Sequence, residues 1–360
     1  MRLPAVRRQY PAFNRSTENS DLVRRFAMVP HVGERIGNSV SFGPSHRLLP
    51  RAKTTITRLR LAAPWGGHPL QRNEPIEPFF IIGSGRSGTT LLRRILVTHP
   101  DVFIPPETYV LGNVIKNFSL LKRLPWSKIV TYSLAQFEYH HEFTLFETSL
   151  RPLVIELRQA PLESRSLAYL LDRFYRHTAE QSGWPRRSRW GDKTPRNSYW
   201  LDEIFSVFPR AKFIHLVRDG YDFVESAARM SGRARRLNPI EAAWYWRRSV
   251  RACREFGGRW PLAYRELKYE ALVLQPETEV QRLCEFIHLQ YQPTMLEVNP
   301  DQIARMGDVP TLTHHAHVAE PISARFRGKG RTVLASETLR QVSAVIDEDI
   351  VKLGYRPMSQ

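Results

Sequence analysis

Phe79-Phe80-Ile81-Ile82-Gly83-Ser84-Gly85-Arg86-Ser87-Gly88-Thr89-Thr90-Leu91-Leu92 decides how the rest of this chain is read. An apolar, strand-like run leads into three glycines, a cation, two threonines and an apolar helical start. Glycines let successive backbone N–H groups turn toward one anion, and the helix that follows aims its positive end at the same point. Thr89 and Thr90, on the first turn, can donate to phosphate oxygens, while Arg86 inside the loop can reach an outer, transferable group. Gly83 to Thr90 keeps the glycine spacing of the nucleoside-triphosphate loop G-x-x-x-x-G-K-[ST], but Thr89 stands in the lysine's place. The stretch predicts a cradle for Gly85, Arg86, Ser87, Gly88, Thr89 and Thr90 to hold an anion, and it weakens the reading of an ordinary kinase or ATPase. A glycine-rich strand-to-helix turn without a ligand is the plain structural alternative.

From Glu77 onward, short apolar runs alternate with helical stretches, the pattern of an α/β fold with a parallel sheet covered by helices. The reading predicts strands at Phe79–Gly83, Lys212–Val217 and Leu262–Leu267. It predicts helices at Thr89–Thr98, from the end of the second strand through about Met230, from Pro239, and over Pro276–Leu289. Ser119 to Gln181 reads as a helical insertion over the sheet that can shape an acceptor pocket. Residues 1–76 differ: arginine-rich, with several prolines and little periodicity, they are expected to form a basic, partly irregular extension. Arg51 to Leu70 mixes cations with Ile56, Leu59, Leu61 and Trp65, suiting either a membrane surface or a solvated extension.

A second motif, Leu216-Val217-Arg218-Asp219-Gly220-Tyr221-Asp222-Phe223-Val224-Glu225-Ser226, closes the second strand. Arg218 leaves the carboxyl edge of the sheet, where ligands of open α/β sheets bind. Ser226 follows on a helix, so an arginine and a hydroxyl can meet a second phosphate. Alone, such an arginine is more often a salt-bridge former; beside the first loop it suggests a ligand with two separated anionic groups.

Together these stretches resemble the sulfotransferases that use 3′-phosphoadenosine 5′-phosphosulfate (PAPS). Phe79–Leu92 is similar to their 5′-phosphosulfate loop, and Arg218 with Ser226 to their 3′-phosphate site. Tyr264 to Leu272, followed by Pro276-Glu277, is similar to a Tyr-Glu-x-Leu segment that sets a tyrosine, here Tyr269, near the adenine; a buried core tyrosine is the alternative. His99 to Thr108 and Trp190-Gly191-Asp192-Lys193-Thr194-Pro195 resemble the bacterial and tyrosylprotein branches. The resemblance covers about residues 78 to 355 and implies a three-layer P-loop-type fold, a central parallel sheet flanked by helices plus the helical insertion. It implies Glu107 as general base and Lys193 as a contact to the transferring sulfuryl group, with Asp192 either orienting Lys193 or forming a surface ion pair with it. Arg86, Lys193 and the loop amides would stabilise charge as the S–O bond breaks. Arg327-Gly328-Lys329-Gly330 is a shifted match to a basic loop that closes over the 3′-phosphate, so Arg327 and Lys329 join the candidate donor site; an exposed basic turn is the other reading.

Composition sets the outer limits. The 360 residues are 42% apolar, enough for a substantial core, and carry a net charge of +18, which points to anionic partners. Cys253 and Cys284 offer no metal spacing, and His314, His315 and His317 lie together without paired carboxylates or cysteines, so no metal is required or expected. No stretch reaches the roughly 18 apolar residues of a membrane span, and no apolar signal segment opens the chain. A cytoplasmic location with peripheral membrane contact through the basic extension is the expectation. The acceptor is expected to offer a hydroxyl on a carbohydrate, glycolipid or small metabolite, with peptide tyrosine as the alternative acceptor. A P-loop small-molecule kinase and a basic nucleic-acid-binding protein are the remaining readings. Trp244-Tyr245-Trp246-Arg247-Arg248 superficially favours nucleic acid, but its helical periodicity sends aromatics into the core, and no nucleic acid is expected as a partner.

Overall fold

The computed structural model describes residues 67–72, 74–184, 189–230, 237–311 and 317–358, all within the compact unit Pro64–Gln360. Residues 1–66, including most of the basic extension, and His314 and His315 lie outside the described residues.

The sheet starts where expected. β1 (Phe79–Ile82) is buried at every position, as a central strand covered on both faces must be. It runs parallel to β3 (Arg189–Lys193) on one side and β4 (Lys212–Val217) on the other. β2 (Val102–Phe103) and β5 (Tyr264–Lys268) form the edges, giving a wholly parallel order β2-β3-β1-β4-β5. The architecture is the three-layer α/β fold anticipated from the apolar runs.

Helix α1 (Thr89–Val97) follows the loop after β1. The insertion comprises α2 (Leu111–Leu121), α3 (Trp126–Glu138), α4 (Arg151–Arg158) and α5 (Leu167–Gln181), beginning at Leu111 rather than Ser119. Residues 68–70 are tied to it: the His68 N–H donates to Lys122, and Pro69 and Leu70 accept from Leu167 and Ala168. After β3 come α6 (Leu201–Val207), β4 and α7 (Gly220–Ala228). α8 (Pro239–Arg259) opens with Pro239 at its first position and a reciprocal Asn238–Glu241 capping box. Trp246 on α8 is fully buried, as its helical spacing predicts, and donates through its indole to the Arg218 carbonyl, whereas Trp244 on the same helix is exposed rather than packed in the core. Past β5 lie α9 (Tyr269–Leu274), α10 (Pro276–Phe286), α11 (Pro300–Ala304), α12 (Asp308–Thr311), α13 (Lys329–Val333) and α14 (Ser336–Lys352). The expected strand at Leu262–Leu267 is a 3-10 turn at Pro261–Ala263 followed by β5.

The main departure is β3. Arg-Trp-Gly-Asp-Lys reads as a polar motif rather than a strand, yet four of its five residues are buried beside β1. Asp192 is not part of a surface ion pair: it is fully buried and engages neutral donors, while Lys193, on the opposite face of the strand, turns to Glu107. Both cysteines are buried and free. Among the described residues no helix is long and apolar enough to cross a membrane.

Candidate active site

The loop after β1 is held by two hydroxyls from outside it and by one contact within it. Ser198 accepts from the Gly83 N–H at 2.9 Å and donates to the Gly83 carbonyl, and the Ser84 and Ser87 hydroxyls meet at 2.8 Å. The Gly85 N–H donates to the Tyr245 hydroxyl of α8 at 3.3 Å. Gly88 caps α1 with φ 92° and no side-chain hydrogen bond, leaving the first-turn amides for an anion. A β-carbon at Gly88 would stand 2.5 Å from the Tyr269 ring, so glycine is required by both conformation and space. Arg86 also sits in the left-handed region, at φ 69°, a conformation that costs a non-glycine residue on the order of 1 kcal/mol and persists where surrounding contacts impose it.

The two sequence motifs meet at that arginine. The Arg86 Nε donates to the Ser226 hydroxyl at 3.4 Å, and Arg218 Nη1 donates to the Arg86 carbonyl at 3.2 Å. The Arg218 guanidinium lies 4.8 Å from the centre of the Tyr269 ring and donates to the Phe326 carbonyl, while its buried Nε has no hydrogen-bond partner. Arg86, Gly88, Thr89, Arg218, Ser226 and Tyr269 all line one cavity of about 490 Å³, with Thr90 beside them. Tyr269 is thus both buried and a wall of the site. Burial lowers the Arg86 pKa, as does crowding by Arg218 and Arg229; Glu107 pulls the other way. Uncapped helix, orphaned guanidinium nitrogen and mutually repelling arginines are what a cavity for a multiply charged anion requires.

A second cavity, of about 360 Å³, shares Arg86, Thr89, Thr90 and Met230 with the first and is lined as well by Glu107, Tyr109, Phe223 and Tyr245. Arg86 and the threonines therefore stand between a cation-lined space and one that joins the aromatic rings of Tyr109, Phe223 and Tyr245 with the Glu107 carboxylate. Glu107 accepts from Lys193 Nζ at 2.5 Å. Lys193 has no exposed side-chain surface and lines neither cavity, so its ammonium group serves the carboxylate. Tyr109 follows at φ 54°, stacked on His140 with centroids 5.1 Å apart. Burial and the Glu107 carboxylate push its phenol pKa up.

Behind Glu107 lies a buried network that the sequence did not announce. The Thr108 hydroxyl donates to Asp192 at 2.8 Å, Tyr175 donates to the same carboxylate oxygen at 2.7 Å, and Asn197 donates to the other at 2.8 Å. Burial raises the Asp192 pKa, against the pull of the hydroxyl donors. Thr108, adjacent to Glu107, was within reach of sequence reasoning; Tyr175, in the insertion, carried no local signal.

Arg327 and Lys329 fall outside the donor-side cavity. Arg327 is exposed, and the Lys329 ammonium lies 5.1 Å from the centre of the Phe326 ring. The lining comes instead from the segment before them, including Ile322, Ser323 and Phe326. That segment is anchored by Asp222, which accepts from the N–H groups of Gly328 at 2.7 Å and Gly330 at 2.8 Å.

Comparison with known proteins converges on one family. Residues 78–293 match the family model described as "Sulfotransferase family". Protein-tyrosine sulfotransferase 1 of Danio rerio is 26% identical over 328 residues, covering 87% of this chain and 82% of the relative. The Homo sapiens protein of that name is 27% identical, covering 77% and 69%. The sulfotransferase domain of the Synechococcus PCC 7002 olefin synthase superposes with a TM-score of 0.52 at 24% identity, over 78% of this chain and 98% of the domain, a likeness of fold.

Proposed function

Because this chain belongs to the sulfotransferase family, we propose that it moves a sulfuryl group from PAPS to an acceptor hydroxyl, with Glu107 as general base. The observation that carries the reading is the shared wall: Arg86, Thr89 and Thr90 line both the cation-rich cavity and the cavity that holds Glu107. A donor bound in the first presents its reactive end to an acceptor bound in the second.

Arg218 and Ser226 are assigned to the 3′-phosphate, the Gly85–Thr90 loop and the α1 amides to the phosphosulfate, and Tyr269 to the wall beside the adenine. The donor supplies an activated sulfuryl group; the protein supplies position and charge. Arg86 and the threonine hydroxyls stabilise negative charge growing on the bridging and sulfuryl oxygens. Glu107 takes the acceptor's proton, and Lys193 holds the base in place from behind. The aromatic walls contributed by Tyr109, Phe223 and Tyr245 hold a ring-sized acceptor against Glu107. A sugar or small-metabolite alcohol is the acceptor we favour on cavity size. The same walls and the tyrosylprotein relatives support peptidyl tyrosine as the second reading.

The test is transfer of label from ³⁵S-PAPS to a panel of sugar alcohols, small phenols and tyrosine peptides. Label in the sugar or small-alcohol class supports the favoured acceptor, and label only in peptides moves the assignment to the second. Transfer to none, together with γ-phosphoryl transfer from magnesium ATP, would remove the sulfotransferase reading.

A further inference from the structure

Hydrogen bonds around the base converge on the residue after it. We propose that Thr108 and Asp192, with Tyr175 behind them, are positioning residues that fix the direction of the Glu107 carboxylate, which makes the helical insertion part of the catalytic machinery. The proposal rests on Glu107 being the base.

Three consecutive residues at the end of β3 grip two consecutive residues of the Glu107 loop. Lys193 bonds the Glu107 carboxylate, Asp192 takes the Thr108 hydroxyl, and the Thr194 hydroxyl accepts from the Thr108 N–H at 2.9 Å. Strand alternation sends Asp192 and Lys193 to opposite faces, so the loop is held from both sides. Lys193 alone cannot set a direction, because an ammonium group is a compact charge with rotatable donors about which a carboxylate can swing. The Thr108 contacts fix the backbone from which that carboxylate hangs.

Two features show that this grip is not incidental packing. Tyr109 is held at φ 54°, where an aromatic residue is strained and stays only when its neighbours over-determine it. Asp192 is fully buried, and each of its described hydrogen bonds comes from a neutral donor, an arrangement that stability alone does not favour over apolar packing. Tyr175 is in turn aimed: its ring stacks on Trp190 at 3.9 Å and 7°, and the Trp190 indole donates to Asp172 on the same helix as Tyr175. The chain of contact therefore runs from α5 through Asp192 and Thr108 to the residue beside the base.

The experiment is a double-mutant cycle on sulfuryl transfer from PAPS, with binding of adenosine 3′,5′-bisphosphate measured on every variant. Thr108→Val should lower kcat by about 10–100-fold, the scale of a misplacement near 1 Å, while acceptor KM and nucleotide affinity stay within about twofold. Thr108→Ser should restore most of the rate, and Tyr175→Phe should lower kcat in the same direction by less. In a Glu107→Gln background Thr108→Val should cost nothing further, since it acts through the group already removed. An equal loss in both backgrounds, or a loss that serine fails to restore, would overturn the positioning role. If Thr108→Val fails to bind nucleotide, Tyr175→Phe, which keeps the ring stack, takes its place in the cycle with the same outcomes required. Wild-type turnover in Glu107→Gln would remove the base assignment and this proposal together. Lost turnover in Glu107→Gln beside unchanged turnover in Thr108→Val and Tyr175→Phe would remove the positioning role alone.

Discussion

The two cavities that meet at Arg86 are built by opposite means. On the donor side, polar capacity is left over: α1 has no side-chain cap, Arg218 Nε is buried without a partner, and Arg86 is crowded by Arg218 and Arg229. On the base side the polar groups are paired: Glu107 is bonded by Lys193, and Asp192 accepts from Thr108, Tyr175 and Asn197. A site that captures an anion must keep donors in hand, whereas a site that aims a base must leave it little freedom. Unpaired donors on one wall suit the capture of an anion, and paired groups behind the other suit the aiming of a base.

That contrast can be broken at either wall. The largest effect is expected from Glu107→Gln, which should lower kcat by ~10²–10⁴-fold, the usual contribution of a general base, with adenosine 3′,5′-bisphosphate binding retained. Steady-state kinetics beside calorimetric titration would check it; joint loss of both functions would erase the division between the walls. Next, Arg218→Ala should weaken the nucleotide by about 10–100-fold, the value of one or two charge-assisted hydrogen bonds, and leave kcat at saturating donor nearly unchanged.

The difference between the walls also explains how much of the molecule was legible in the sequence. Phe79–Leu92 announced strand, loop and helix because a buried central strand is an unbroken apolar run and an anion loop needs glycine where the backbone turns. Arg218 and Ser226 were found because a strand end and the following helix put them at one edge. β3 was not found as a strand, because Asp192 and Lys193 are buried polar residues whose partners lie mostly far along the chain: Asp192 meets Tyr175 and Thr108, and Lys193 meets Glu107. The Asp192 network hid because Tyr175 and Thr108 reach it from other segments of the chain, whereas Arg86 and Arg218 each stand in a short stretch that can be read by itself. Arg327 and Lys329 illustrate the converse: local basic character drew attention, while Asp222 directs that turn through the amides of Gly328 and Gly330.

Two smaller effects sharpen the donor side. A β-carbon at Gly330 would lie 2.2 Å from the Tyr221 carbonyl, so Gly330→Ala should displace the segment anchored by Asp222. It should cost roughly 1–3 kcal/mol of stability in chemical denaturation and weaken nucleotide binding, with no change in acceptor KM. The smallest concerns His215, next to the loop on β4 and 2.6 Å from the Tyr264 hydroxyl. Burial opposes its protonation, but Cys253 and Glu266 outweigh this and raise its pKa to about 9. A folded pKa above the unfolded value of about 6.5 stabilises the fold fully below pH 6.5, and that contribution is lost as pH rises through about 9. Melting should therefore fall by a few degrees between pH 6.5 and 10, and Glu266→Gln should flatten that slope.

The central claim is that the surplus charge around the loop is matched to two separated anionic groups on an adenosine, and nucleotide protection against thermal unfolding tests it most directly. Adenosine 3′,5′-bisphosphate should raise the Tm of the wild-type chain in a saturable manner and that of Arg218→Ala only at far higher concentration, while magnesium ATP should do little. Protection by magnesium ATP without protection by the bisphosphate would contradict the account.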